Sequence, residues 1–244
     1  MAEYHLELSL VIPCHNEEGN LRALIDAIGI AMAPLNIFYE VVITDDCSTD
    51  NSWVILKEIA QADFRIRVQR FKSKCGESAA SWAGIQVSRG RYIVTLDADL
   101  QNDLSDLSMF LEALKSYDCV CGTRITTRQH GDSFVCIVSS RIANWVRNKI
   151  LGENISDSGC TYRAFRRACI SKIKFFRGVH RFLPTLFKME GFTVTEIPIK
   201  NNPRLSGKSH YSIRNRFFNS LADLLGMWWM KNRLIRYEII EAIN

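Results

Sequence analysis

Through the first 125 residues, short runs of β-branched and aliphatic residues alternate with segments whose apolar positions recur every three or four residues. The runs Leu8–Ile12, Glu40–Thr44, Ile66–Phe71, Tyr92–Leu96 and Cys119–Gly122 predict strands. Between them the spacing predicts helices over Glu17–Met32, with Leu21, Leu24, Ile25 and Ile28 on one face, and over Asn51–Ala62, opened by Asp50 as a cap. Two more follow at Glu77–Ser88 and Leu104–Ser116. Continuous apolar strands separated by amphipathic helices predict an α/β domain: a mostly parallel sheet flanked by helices on both faces. Beyond residue 125 the pattern gives a helix over Val135–Leu151, a polar turn over Gly152–Gly159 and an extended Cys160–Phe165. A helix around Arg181–Met189, a strand over Thr193–Ile197 and a polar loop over Asn201–Tyr211 complete it. The expected division is a catalytic domain over 1–211 and an amphipathic helical segment over 212–244.

A chain of 244 residues, 47% hydrophobic and 23% charged, can build one sizeable core, which excludes fibrous and largely disordered classes. No apolar stretch approaches the roughly 18 residues of a membrane span, and the first residues lack the basic start of a secretory signal. The expectation is therefore a cytosolic protein. Its eight cysteines include no C-x-x-C pair, so reduced, semi-buried thiols are expected rather than zinc or disulfides. The net charge of +5 is uneven. From Lys200 to Arg236 eight basic residues face Asp223 alone, +7, leaving −2 for the remainder (5 − 7). That concentration points to an anionic partner at the C-terminal end.

Sheets of the expected kind bind ligands beyond the carboxyl ends of their strands, and carboxylates gather there. Asp45 and Asp46 follow one strand, and Asp97-Ala98-Asp99 follows another. Extended alternation puts Asp97 and Asp99 on one side. Two converging carboxylates need a cation, and a hard divalent ion shared with substrate phosphates, with Gln101 as a neutral oxygen ligand, satisfies them. The competing reading is a solvated acidic turn that caps the helix at Leu104.

Taken in order, Val11-Ile12-Pro13-Cys14-His15-Asn16-Glu17-Glu18, Asp45-Asp46-Cys47-Ser48-Thr49-Asp50, Asp97-Ala98-Asp99-Leu100-Gln101 and Gly122-Thr123-Arg124 resemble glycosyltransferase family 2. More narrowly they resemble its dolichyl- or polyprenyl-phosphate sugar transferases, the dolichol-phosphate mannosyltransferase-like group. The resemblance continues through the stretch from Asp157 to Arg167, His180-Arg181-Phe182-Leu183-Pro184, and the loop from Pro203 to Tyr211. It implies a GT-A fold that binds a nucleoside-diphosphate sugar. By that resemblance Pro13, His15, Glu17, Asp45, Asp46, Lys74 and Gly76 line the nucleotide-sugar pocket. Asp97, Asp99 and Gln101 handle Mg2+ or Mn2+ and the diphosphate. Arg124 and Asp157 join Asp97 and Asp99 as catalytic candidates, and Ser140, Arg204, Lys208 and His210 face the acceptor phosphate. The sequence departs from the pattern at Cys47, where glycine is usual, at Lys74, where asparagine is usual, and at Gly207-Lys208-Ser209-His210.

The reaction so implied is metal-dependent, inverting transfer of a sugar to a polyprenyl phosphate at the cytoplasmic membrane face. A phosphate monoester is already anionic near neutral pH, with a second pKa of about 6, so no general base is required. The alternative is a saccharide or other hydroxyl acceptor, which needs one; Asp157 is then the candidate, and otherwise it orients sugar or acceptor or caps the Ser158-Gly159 turn. Arg163, Arg166 and Arg167 read as a solvated strand–helix junction. His180 and Arg181 read as closing the acceptor cleft or capping a helix. Phe217, Phe218, Leu221, Leu224, Leu225, Trp228 and Trp229 form a helical stripe with cations at its ends. It either lies in the plane of a membrane or packs on the catalytic domain or on a second copy in a homodimer. No G-x-G-x-x-G follows an early strand, and no nucleic-acid-binding motif accompanies the basic tail, so neither a dinucleotide oxidoreductase nor a nucleic-acid partner is expected.

Overall fold

The computed structural model describes residues 6–125, 134–202, 213–235 and 241, with backbone alone over 134–140 and 213–219. Seven strands form one sheet: β1 (Leu8–Cys14), β2 (Tyr39–Asp45), β3 (Ile66–Arg70), β4 (Tyr92–Thr95), β5 (Cys119–Thr123), β6 (Arg163–Arg166) and β7 (Val194–Pro198). Their order is β3-β2-β1-β4-β6-β5-β7. The first four run parallel, as do β5 and β7, and β6 lies antiparallel between β4 and β5. The mostly parallel sheet expected from the pattern is thus present, with one inverted strand that local periodicity does not reveal.

Alternation along the strands sorts side chains into two cores. Leu8, Leu10 and Ile12 of β1 face one layer, covered by α1 (Leu21–Met32), α2 (Ser52–Ala62) and α4 (Leu107–Ala113). Val11, Val42, Ile93 and Phe165 face the other, covered by α3 (Glu77–Val87), α6 (Leu183–Met189) and the long helices α5 (Phe134–Leu151) and α7 (Ile213–Asn232). Small residues let α3 approach the sheet: a Cβ on Gly84 would stand 2.5 Å from Val11 Cγ1.

Two helices begin later than the pattern predicts. Residues 17–20 form a turn, and α1 opens at Leu21. The amides of that turn are satisfied from across the chain, the Glu17 amide donating to Ser52 Oγ (2.8 Å) and the Glu18 amide to Asp50 Oδ2 (3.2 Å). Ahead of α4, residues 104–106 make a 3-10 turn capped by Asp103, whose Oδ1 accepts from the Ser105 amide at 2.9 Å. The N-cap of α2 is Asn51 rather than the expected Asp50, which stands one residue ahead and accepts from the Ser52 amide at 3.0 Å.

The helix expected in the C-terminal segment is α7. Leu224 and Met227 are buried in the second core, while Leu221, Leu225, Trp228 and Trp229 are exposed. Asp223 pairs with Arg181 at 2.7 Å, and Ser220 also accepts from that arginine. The expected boundary at 211/212 lies outside the described residues. Among the described residues no helix is long and apolar enough to cross a membrane. The described cysteines are all free thiols.

Candidate active site

The candidate residues converge where β1, β2, β4 and β5 end. Each of the first three strands leaves the sheet through a non-glycine residue in the left-handed region: Asn16 (φ 57°), Cys47 (φ 58°) and Leu100 (φ 61°). Such conformations cost an L-residue roughly 1–2 kcal/mol and gather at functional sites. Glycine is usual in the family pattern at Cys47, and the structure shows why.

On the β1–β2 side, Asp45 is fully buried (0% exposed) and paired with Arg70 Nε at 2.9 Å. The Asp46 carboxylate accepts the amides of Cys75 (2.6 Å) and Gly76 (2.8 Å). It thereby fixes the loop that opens α3, where Gly76 supplies a φ of +94°. His15 accepts or donates at both nitrogens, with Nδ1 2.8 Å from the Asp46 carbonyl oxygen and Nε2 2.8 Å from Lys74 Nζ. The carbonyl can only accept, so Nδ1 carries the proton and Nε2 receives from Lys74. Pro13 is half-buried at the end of β1, and Glu17 Oε2 accepts from Asn20 Nδ2 at 2.7 Å. The structure therefore brings Pro13, His15, Glu17, Asp45, Asp46, Lys74 and Gly76 to one rim. Burial, and then the Asp45 charge, push the neighbouring Cys14 thiol far above its ordinary range, so it stays protonated.

On the β4 side, the inverted β6 delivers a partner from across the chain. Thr95 Oγ1 donates to the Thr161 carbonyl at 2.7 Å, and Thr161 Oγ1 donates to Asp97 Oδ2 at 2.6 Å. Asp99 is 6% exposed, and its Oδ1 accepts from the Gln101 amide at 3.2 Å. The helix cap is Asp103, so capping does not account for Asp97 or Asp99. The donor set is two carboxylates and an amide oxygen, suited to a hard divalent ion. Among the described residues no group of three or more His, Cys, Asp or Glu is placed to hold a metal. An ion here would need oxygen atoms from substrate to complete its shell.

Arg124, just beyond β5, is bound two-pronged by Asp157. Nε lies 2.8 Å from Oδ2 and a terminal nitrogen 3.1 Å from Oδ1, and the Arg124 amide also donates to Oδ2 at 3.2 Å. Asp157 is 1% exposed. Burial alone would lower the arginine pKa; the bonds and charge of Asp157, with Asp97 contributing, raise it further beyond its ordinary value. Glu196 of β7 fixes the Asp157 loop by accepting from the Ser156 amide (2.9 Å), the Ser156 hydroxyl (2.7 Å) and the Asp157 amide (3.3 Å). The Asn202 amide donates to the Gln101 carbonyl at 2.8 Å, which ties the end of the described chain there to the carboxylate turn. Arg204, Lys208 and His210 lie outside the described residues, as does the side chain of Ser140.

The solvated junction expected at Arg163 is a correction. Arg163 is 2% exposed on β6, donating to the carbonyls of His180 and Ser158 (3.0 Å for the latter). Arg167 is also engaged, with the Gly90 carbonyl at 2.8 Å and Ser88 Oγ at 3.0 Å. The run of three arginines looks solvated in sequence because the strand that buries the first is only four residues long. His180 Nδ1 lies 2.8 Å from Ser78 Oγ, so its ring is seated at the start of α3. Sequence reasoning missed Thr161, Ser78 and Glu196. Only Glu196 left a signal, a charge inside a predicted strand.

The glycosyl transferase family 2 profile matches residues 9–174. A dodecaprenyl-phosphate galacturonate synthase from Rhizobium johnstonii is 32% identical over 232 residues, covering 93% of this chain and 68% of that protein. The chain belongs to glycosyl transferase family 2. An undecaprenyl-phosphate 4-deoxy-4-formamido-L-arabinose transferase from Yersinia pestis is 34% identical over 221 residues, 90% of this family member and 66% of the relative. The chain thus spans about two thirds of the length of these relatives. Among solved structures, glucosyl-3-phosphoglycerate synthase from Mycobacterium tuberculosis with Mn2+, UDP and phosphoglyceric acid superposes with a TM-score of 0.69 at 16% identity, covering 95% of this chain and 80% of that one. A mannosyltransferase from Pyrobaculum calidifontis in complex with GDP-Man and Mn2+ gives 0.63 at 16% identity, covering 94% and 65%. These likenesses establish the GT-A fold of this family 2 chain.

Proposed function

We propose that the chain transfers a sugar, with inversion, from a nucleoside-diphosphate sugar to a polyprenyl phosphate. Family membership and relatives named for polyprenyl-phosphate acceptors support the reaction class. One observation supports an acceptor that is already ionised: Asp157, the carboxylate a hydroxyl acceptor would need as its base, is buried and clamped in two places by Arg124. A carboxylate so held is a poor proton acceptor. An acceptor phosphate asks for none.

In this reading Pro13, His15, Glu17, Asp45, Asp46, Lys74 and Gly76 shape the nucleotide end of the donor pocket, and Lys74 presents its charge to the diphosphate. Asp97, Asp99 and Gln101 would hold Mg2+ or Mn2+, which would neutralise charge on the departing nucleoside diphosphate. Arg124, oriented by Asp157, adds a fixed cation beside Asp97. Ser140, Arg204, Lys208 and His210 gather the acceptor phosphate. The acceptor oxygen forms the new bond to the anomeric carbon as the bond from that carbon to the diphosphate oxygen breaks on the opposite face, so the product is a β-configured phosphosugar from an α-configured donor. Positioning and charge neutralisation supply the catalysis. The enzyme meets its lipid from the cytoplasmic surface of the membrane as a peripheral protein.

Acceptor competition tests this reading. With a panel of UDP- and GDP-sugars and either ion, labelled sugar should move to undecaprenyl phosphate in preference to free saccharides. Transfer to saccharides alone would return Asp157 to the role of base and favour the hydroxyl-acceptor enzyme.

A further inference from the structure

Helices α5 and α7 pack side by side on the second core, and the surface they present is unusual for a water-facing one. Trp145 is 67% exposed, Trp228 47% and Trp229 58%, with Ile142 and Leu225 more than half exposed beside them. Ile142 and Trp145 lie one turn apart on α5, and Leu225, Trp228 and Trp229 one turn apart on α7, so exposed apolar side chains cluster on each of the two packed helices, as at an interaction site. Next to it runs a groove lined by Trp145, Lys149, Lys188 and Lys231. Its one carboxylate, Glu153, is buried and taken by Arg147 at 3.1 Å and Thr185 at 3.0 Å, so the groove is positive. Among the described residues no carboxylate pairs with Lys149 or Lys188. Lys231 donates to the Leu151 carbonyl, which locks the end of α5 to α7. Arg233 adds a further cation, 5.9 Å above the Trp229 ring.

We propose that this α5–α7 face docks on an anionic phospholipid surface, with headgroup phosphates entering the groove between Lys149, Lys188 and Lys231. Tryptophans bordered by lysines and arginine match the two zones of a bilayer edge, acyl boundary and phosphate layer. A second copy of the chain fits less well, because two-fold pairing of this face would set one lysine cluster against its twin. The geometry also serves the chemistry. The segment from Glu153 returns along α5, with Asn148 held to Ile155 and Asn144 to Ser156 and Ser158, so the groove lies a few residues from Asp157. The inference deepens the lipid-acceptor reading and rests on it for its purpose, while its physics can be tested without donor or acceptor.

The test is sedimentation of the full chain with vesicles of phosphatidylcholine alone or with phosphatidylglycerol, lacking polyprenyl phosphate. Binding should require the anionic lipid and weaken with salt. The Lys149→Glu/Lys188→Glu pair should lose at least about tenfold in partitioning, since each lysine near such a surface contributes roughly fivefold. Trp228→Ser/Trp229→Ser should lose a similar factor even at low salt. Both variants should stay folded, with melting close to the parent's, because Lys149, Trp228 and Trp229 are exposed and Lys188 lies half-buried at the edge of the groove, and should keep their transfer rate to a short-chain polyprenyl phosphate in detergent. Absence of vesicle binding, binding untouched by both variants, or a concentration-dependent dimer broken by the tryptophan variant would overturn the proposal. Vesicle binding without transfer in detergent would instead count against the transferase reading alone.

Discussion

Cys47 stands where the chain leaves β2 with a φ of +58°, and no side chain larger than hydrogen suits that conformation well. Cys47→Gly should therefore stabilise the fold by up to about 1 kcal/mol, read as a raised denaturant midpoint with unchanged slope; a loss of stability would mean that the half-buried thiol packs better than it strains. This strain was legible in sequence as a departure from the family pattern, whereas nothing in the sequence marked Leu100, strained in the same way. The Arg124–Asp157 pair makes a sharper prediction. Asp157→Ala leaves a buried guanidinium unmatched and should cost about 3 kcal/mol. Adding Arg124→Met should return most of that stability in thermal melting while transfer stays low. If the double variant recovered activity as well, the pair would be a structural clamp only.

At the level of elements, the early strands and helices follow from apolar spacing because each burial pattern is local. The turn ahead of α1 was not legible, since Ser52 and Asp50, which anchor its amides, lie more than thirty residues away. Nor was the inversion of β6, which puts Thr161 on Asp97: neighbours in a sheet are chosen by tertiary packing, not by the strand's own sequence. Close packing of elements gives a prediction of its own. A Cβ on Gly90 would come within 2.6 Å of the Leu8 carbonyl carbon and the Ser9 amide, so Gly90→Ala should destabilise by about 1–3 kcal/mol or more, seen in urea unfolding. The junction of β5 and β7 gives another. Asp118 accepts from the Thr193 amide at 2.9 Å and hydroxyl at 2.7 Å, which, against the opposing effect of partial burial, hold its carboxyl below its usual range. Its contribution is present above the unfolded-state value near 4 and is lost as pH falls through the depressed folded value. Asp118→Asn should flatten that part of the acid-stability curve, and an unchanged curve would show that Asp118 does not carry it.

For the whole molecule, one sheet divides the core in two and carries the candidate site on its carboxyl edge. The acidic residues of that edge were legible because each follows a predicted strand. Their supports from β6, α3 and β7 were not, because they arrive from the far half of the chain. The second core also seats α7, so the helix whose sequence allowed either core packing or a membrane face does the first with Leu224 and Met227 and offers a surface for the second. In the proposed reaction Asp99 and its neighbours steady the departing nucleoside diphosphate while a lipid phosphate attacks. The most direct measurement is mass-spectrometric detection of lipid-linked sugar formed from undecaprenyl phosphate and a nucleotide-sugar panel, comparing the parent with Asp99→Ala at saturating Mn2+. The expected result is a phosphate-linked product whose rate falls at least about a hundredfold in the variant and that EDTA abolishes in the parent; an Asp99→Ala enzyme that turns over at the parental rate would contradict it.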